Sequence, residues 1–398
     1  MKILILDDET KRAKLWKESL DKFVKGEVVV YQPNEVSSLI GELHKSRLAS
    51  RGEKFVPVEA LNGFDLVIID YDLLGLEMES PAAWATGAEL AYSIRLMSEV
   101  GPVIVVNQFG TNAFDLTMRR SVSSYADVDV GSAQIQSPGL WLSSGFELYR
   151  PWHWPNLNEE IKRFELIQRY ILQKLDEPVM ATLGFELEDT EASNYISYEV
   201  AAFLGSSPGK KDMTFRDIVV SNDGLRLFNI LEKDVKVIEN FSVEQTARVC
   251  TAILIHWLEK VVLPSQEVVA DAPHLSGQLP WIVSDARSLE AWNNLCRLDA
   301  VNVPEALAPF AVVPDFLFSR PVFWAEKARR EIACPEGFAF AELQPLQFCE
   351  DSSSFVLEDD ASSFPSDVIA FDKKRWVKVV KNSALPTINY EPQSYLLM

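Results

Sequence analysis

Cysteine and histidine are scarce in this chain. Four cysteines (Cys250, Cys296, Cys334 and Cys349) and four histidines are spread over 398 residues, with no C-x-x-C or H-x-x-x-H pair. A disulfide framework, a thiolate zinc site and a His-based metal site are thereby disfavoured, and the cysteine usage predicts a reducing cytoplasm. Long apolar runs are absent too. None approaches the ~20 residues that span a bilayer, and MKILILDDE at the start offers four apolar residues before two aspartates, short of a signal peptide. Neither a membrane partner nor export is expected. Positive charge is also in deficit, with 38 Lys and Arg against 58 Asp and Glu, net −20. Phosphate-backbone contacts need a cationic surplus, so no nucleic-acid partner is expected. The deficit is uneven: net −6 over residues 1–150 and net −14 over residues 151–398.

What is present is ordinary globular material, 47% hydrophobic and 24% charged, of a length that suggests two or three domains. Residues 1–175 alternate strand and helix signals. Lys2–Leu6, Glu27–Tyr31, Phe64–Asp70 and Pro102–Val106 are short β-branched or apolar runs. Between them, helical spacing predicts helices over Lys11–Phe23 (Thr10 as cap; Leu15, Trp16, Leu20 and Phe23 apolar), from Asn34 through Leu48, over Gly87–Met97 and over Asn112–Ser121. One strand within Ser123–Leu148 should complete a sheet of five, and a helix follows from Glu159 to about Leu175. Strands apolar on both faces and separated by helices predict an α/β, doubly wound, parallel, flavodoxin-like domain over residues 1–177. Residues 178–398 are expected to form a mixed, helix-rich α+β domain of unassigned fold.

In such sheets the functional site lies at the carboxyl ends of the strands. The first predicted strand ends in Asp7-Asp8 and the third in Asp70. Three carboxylates at one edge repel each other unless a cation sits among them, and a hard divalent ion such as Mg²⁺ suits oxygen ligands. An Asp beside such an ion can act as a nucleophile toward phosphorus. A cap for the first helix would need only one Asp.

ILILDDE, FDLVIIDYDLLG, GAELAYSIR and GPVIVV, in that order, resemble the receiver domain of bacterial two-component response regulators. The resemblance covers roughly residues 1–175. It implies that Asp70 accepts a phosphoryl group from a sensor histidine kinase. It further implies that Asp7, Asp8 and Asp70 hold Mg²⁺, with the backbone carbonyl of Asp72 as a further ligand. Two positions depart from the family. Asn107 stands where a Ser or Thr is usual at the end of strand four, with Thr111 as a fallback. Arg150 stands where a Lys is usual after strand five, and a guanidinium is not interchangeable with an ammonium. The loop Tyr71–Thr86 is long and lacks the usual Met-Pro pair.

The second half carries no Gly-rich phosphate loop, nucleophile elbow or H-E-x-x-H. Helices are predicted from Ser242 or Glu244 to about Val262, over Ser288–Leu298 and over Ser319–Ile332. Cys250 and His256, six apart on one helix, point different ways and make no local pair. Glu350–Ser366 reads as an acidic, serine-rich loop and Phe371–Val380 as a basic island able to form a strand. With no basic recognition helix, a transcription-factor output is disfavoured. The architecture is similar to the effectorless receiver proteins of Detocs-type antiphage phosphorelays, which implies a phosphate sink or adaptor acting on another receiver or effector. Two alternatives stand beside it. One is an enzymatic effector assembled in residues 178–398 from side chains such as His256, His274 or Cys334. The other is a pseudo-receiver that binds partners without being phosphorylated.

Overall fold

The apolar runs form the sheet that their patterning predicts. In the computed structural model, Lys2–Leu6 (β1), Glu27–Val30 (β2), Leu66–Asp70 (β3), Val103–Val106 (β4) and Val128–Val130 (β5) pair in the order β2-β1-β3-β4-β5, all parallel. The structure describes residues 1–76, 86–107, 126–142, 150, 152, 154–185, 212–220, 234–297, 303–349, 352–360, 362–363 and 377–378. Ile3–Leu6, Leu66–Ile69 and Val103–Val106 are fully buried. Each such Val, Leu or Ile side chain contributes about 1.5–3 kcal/mol on burial, so the three central strands are the core of this domain. β5 is the strand left open within Ser123–Leu148.

The helices between the strands start where local chemistry allows. Thr10–Leu20 (α1) buries Ala13, Trp16 and Leu20, while Leu15, expected on the apolar face, is exposed. Pro33–Ala49 (α2) begins one residue before the expected cap. Gln32 serves instead, its backbone N–H donating to Glu35 Oε2 at 2.7 Å, and Pro33 suits the first turn because its φ is already helical. Gly87–Met97 (α3) is capped by Thr86, whose hydroxyl accepts from the Glu89 N–H. Asn112–Ser121 lies outside the described residues.

Two compact units interleave along the chain rather than meeting at one cut after residue 177. The first comprises 1–141, 157–179 and 212–255, and the second 142–156, 180–211 and 256–398. The helix Leu157–Gln173 belongs to the first, as does most of Val243–Trp257, whose last turn runs on as a π-helix, Leu258–Val262. Within the first unit, Gln245 Nε2 donates to the Leu96 carbonyl at 2.8 Å, and Asp234 accepts from Arg47 Nε at 2.6 Å and from the Tyr92 hydroxyl at 2.8 Å.

The second unit contains short antiparallel pairs, Val269–Asp271 (β6) with Val322–Trp324 (β7) and Leu346–Cys349 (β8) with Ser354–Leu357 (β9). The helix expected over Ser319–Ile332 is therefore halved. Val322–Trp324 is drawn into a strand by its partner β6, and only Ala325–Glu331 is helical. Within the basic island, Val377–Lys378 pairs with Ser362–Ser363 of the serine-rich stretch. Among the described residues, no helix is long and apolar enough to cross a membrane.

Candidate functional site

Strand register gathers the first unit's carboxylates. Leu6 of β1 pairs with Ile69 of β3, so Asp7 and Asp70 leave the sheet side by side at its carboxyl edge. Asp70 in turn pairs with Val106 of β4, which puts Asn107 at the same edge, its backbone N–H donating to the Val130 carbonyl at 2.8 Å. Asp8 completes the group. One oxygen from each of Asp7, Asp8 and Asp70 lies within 4.8 Å of the others. Asp7 and Asp70 are fully buried, and Asp8 is partly so.

A residue absent from the sequence-based site set supplies the cation. Arg12, on the first turn of α1, donates from Nε to Asp7 Oδ2 at 2.8 Å. Its Nη2 reaches Asp7 Oδ1 at 2.7 Å, Asp70 Oδ2 at 2.6 Å and Asp8 Oδ1 at 3.2 Å. Burial alone would ease deprotonation of this guanidinium, but the three carboxylates outweigh it and hold the proton more firmly than water does. The Asp8 carboxyl is held above its ordinary range, chiefly by burial and also by the Asp7 charge, against the opposing pull of the Gly75 N–H and Arg12. The signal in the sequence is only the spacing: Arg12 lies four and five residues after the acidic pair, at the start of a helix.

The segment after β3 closes over this edge. Gly75 donates its N–H to Asp8 Oδ2 at 2.7 Å, and a Cβ at Gly75 would stand 2.6 Å from that oxygen. Gly87, opening α3, donates to the Tyr71 carbonyl at 2.7 Å, and a Cβ there would lie 2.2 Å from the Asp70 carbonyl oxygen. The Gly87 approach is to backbone and admits only glycine, whereas a side chain at position 75 would push the Asp8 carboxylate aside. Asp72 bridges to Thr86, and its Oδ1 accepts from the Leu74 N–H at 3.3 Å. Residues 77–85 of the long loop, and Thr111, lie outside the described residues.

Three carboxylates and one guanidinium leave a net charge of −2 at the cluster. Around an octahedral Mg²⁺ ion at ~2.1 Å, adjacent oxygens are about 3.0 Å apart and opposite ones about 4.2 Å. The three oxygens, within 4.8 Å of one another, would have to draw in to reach those separations. The donor set fits a hard divalent cation, which would compete with Arg12 for the same oxygens. Arg150 belongs to the second unit, where its Nη1 donates to the Leu142 carbonyl at 2.7 Å. In that unit His274 pairs through Nδ1 with Asp271 Oδ1 at 2.6 Å, while Cys334 and His256 are exposed. No protein-family model, curated protein or solved structure matches the chain.

Proposed function

We propose that the first unit is a phosphoacceptor module in which Asp70 takes a phosphoryl group from a phosphohistidine on a partner kinase. The observation that carries this reading is the convergence of Asp7, Asp8 and Asp70 around one cationic group at the carboxyl edge of a parallel sheet. A cap or a surface ion pair would use one carboxylate, not two fully buried ones and a third beside them. In the transfer, an Asp70 carboxylate oxygen bonds to phosphorus as the phosphorus–nitrogen bond of the donor breaks, and the imidazole departs as the leaving group. Asp7 and Asp8, with the Asp72 carbonyl, would hold Mg²⁺, which when bound would screen the charge of the incoming phosphoryl group. Asn107 offers an amide donor at the same edge in place of the usual hydroxyl. Arg12 keeps the carboxylates together until a divalent ion takes its place.

The output proposed is a phosphate sink or an adaptor for another receiver or effector, because residues 151–398 are net −14 and carry no basic recognition helix. The test is incubation of the full chain with Mg²⁺ and acetyl phosphate, followed by intact-mass analysis. One phosphoryl group should appear in the wild type and none in Asp70→Asn or in EDTA. Absence of incorporation from either acetyl phosphate or a cognate kinase would leave the pseudo-receiver reading in its place.

A further inference from the structure

The second unit holds a cavity of about 40 Å³ whose wall includes Trp152, Asp271, Asn294, Arg297, Arg320 and Ser353. Arg320 is 7% exposed and lies 4.7 Å over the Trp152 ring, which fixes its guanidinium in place. Its Nε and Nη2 find no hydrogen-bond partner among the described residues. Among the described residues its ion-pair partner is Asp271, whose Oδ2 lies 3.9 Å from Nη1 and whose Oδ1 goes to His274, accepting from both the backbone N–H and Nδ1. Burial alone would raise the Asp271 carboxyl, but His274 and Arg320 together hold it below its ordinary range, so it stays ionised and committed.

A second buried arginine adjoins this wall. Arg150 is 6% exposed, and the hydroxyl of Ser353, a wall residue, donates to its carbonyl at 2.7 Å. One of its nitrogens is used on the Leu142 carbonyl, while Nη2 has no partner among the described residues. Burial, and then the charge of Arg320, push Arg150 down to about 10. Among the described residues, three N–H-bearing nitrogens of these two arginines are unmet, and two buried guanidiniums face one buried carboxylate, with Arg297 exposed at the rim adding a third cation. Buried donors of this kind are costly to leave unsatisfied.

We propose that this cavity is an oxyanion site that receives a phosphoryl group, with Arg320 as its donor, Trp152 as the surface that orients Arg320, and Arg150 behind the wall adding positive charge. A tetrahedral dianion accepts from several directions and balances the excess charge, whereas a carboxylate accepts in one plane and supplies a single charge. This site is independent of the Asp70 chemistry.

The test is isothermal titration of the full chain in EDTA, which removes divalent ions from the acidic cluster, at constant ionic strength. Inorganic phosphate, phenyl phosphate and acetate are the titrants. Inorganic phosphate should bind with a Kd of about 1 mM or below, and acetate at least about tenfold more weakly. Equal binding of phenyl phosphate marks a phosphomonoester site, and preference for inorganic phosphate marks a site for the free ion. Arg320→Gln should weaken binding about tenfold, and Arg150→Gln, which removes only a charge behind the wall, about threefold. Arg297→Gln, at an exposed position that cannot upset the core, should weaken it about threefold. No binding at tenfold higher phosphate, acetate binding as tightly, or unchanged affinity in the folded variants would overturn the proposal; water would then be the occupant.

Discussion

Replacing Arg12 by alanine isolates the electrostatics of the acidic cluster. The guanidinium spans three carboxylates, at 2.7 and 2.8 Å from Asp7, 2.6 Å from Asp70 and 3.2 Å from Asp8, and two of those acids are fully buried. Breaking a buried ion pair costs about 3–5 kcal/mol because the remaining charge is left uncompensated. The Arg12 side chain is 20% exposed, so water enters the space it leaves and the lower end, about 3 kcal/mol, is expected. A divalent ion should restore most of this. At a hundredfold excess over its Kd, a ligand bound only by the folded state adds about 2.7 kcal/mol. The assay is equilibrium urea denaturation of wild type and Arg12→Ala, each in EDTA and in saturating MgCl2. Wild type should respond weakly to Mg²⁺, since its own cation holds the oxygens. The variant should be destabilised in EDTA and largely rescued by Mg²⁺. An equal loss in both conditions, or no loss in EDTA, would refute the view that Arg12 and a divalent ion compete for one set of oxygens.

Other consequences follow from single contacts. Asp234→Ala should cost about 3–5 kcal/mol in the same denaturation assay, because it removes the buried carboxylate to which Arg47 and the Tyr92 hydroxyl both donate; a loss below 1 kcal/mol would contradict this. Gly87→Ala should destabilise by about 1–3 kcal/mol or more, since its Cβ would meet the Asp70 carbonyl at 2.2 Å. Gly41→Ala, in the interior of α2 with nothing within 4 Å, should instead stabilise by about 0.5–1 kcal/mol. Melting of the two variants side by side checks that opposition of sign. Iodoacetamide at pH 8 should alkylate exposed Cys334 in the native protein. Cys250, whose thiol burial pushes up, and buried Cys349 should react only after unfolding, as peptide mapping would reveal.

The parallel sheet was legible because its strands are buried on both faces and so appear as unbroken apolar runs, as in LVIID and VIVV. The acidic cluster was legible for a related reason. Strand ends are marked by the change from apolar residues to aspartate, and in a parallel sheet those ends share an edge. Arg12 was not legible. It sits in TKRAKL among lysines that look like a solvated helix face, and only the register of β1 against β3 reveals that one of these cations turns inward. Arg150 follows the expected fifth strand in sequence, but the chain leaves the first unit after Trp141 and Arg150 is buried within the second, a division that local patterning does not mark. Val322–Trp324 follows a proline and precedes a charged helical stretch, so local spacing favours helix. Its pairing with Val269–Asp271, some fifty residues earlier, decides otherwise. Long-range pairing leaves no local trace of that kind.

The central claim is that Asp70 is the acceptor, and trapping the acyl phosphate tests it most directly. Wild-type protein treated with acetyl phosphate and Mg²⁺ is reduced with sodium borohydride, which converts an aspartyl phosphate to homoserine, and is then digested and sequenced by tandem mass spectrometry. The conversion should fall on Asp70 alone, leaving Asp7, Asp8 and Asp72 intact. Conversion at another aspartate, or none under conditions that reduce a known aspartyl phosphate, would contradict the account.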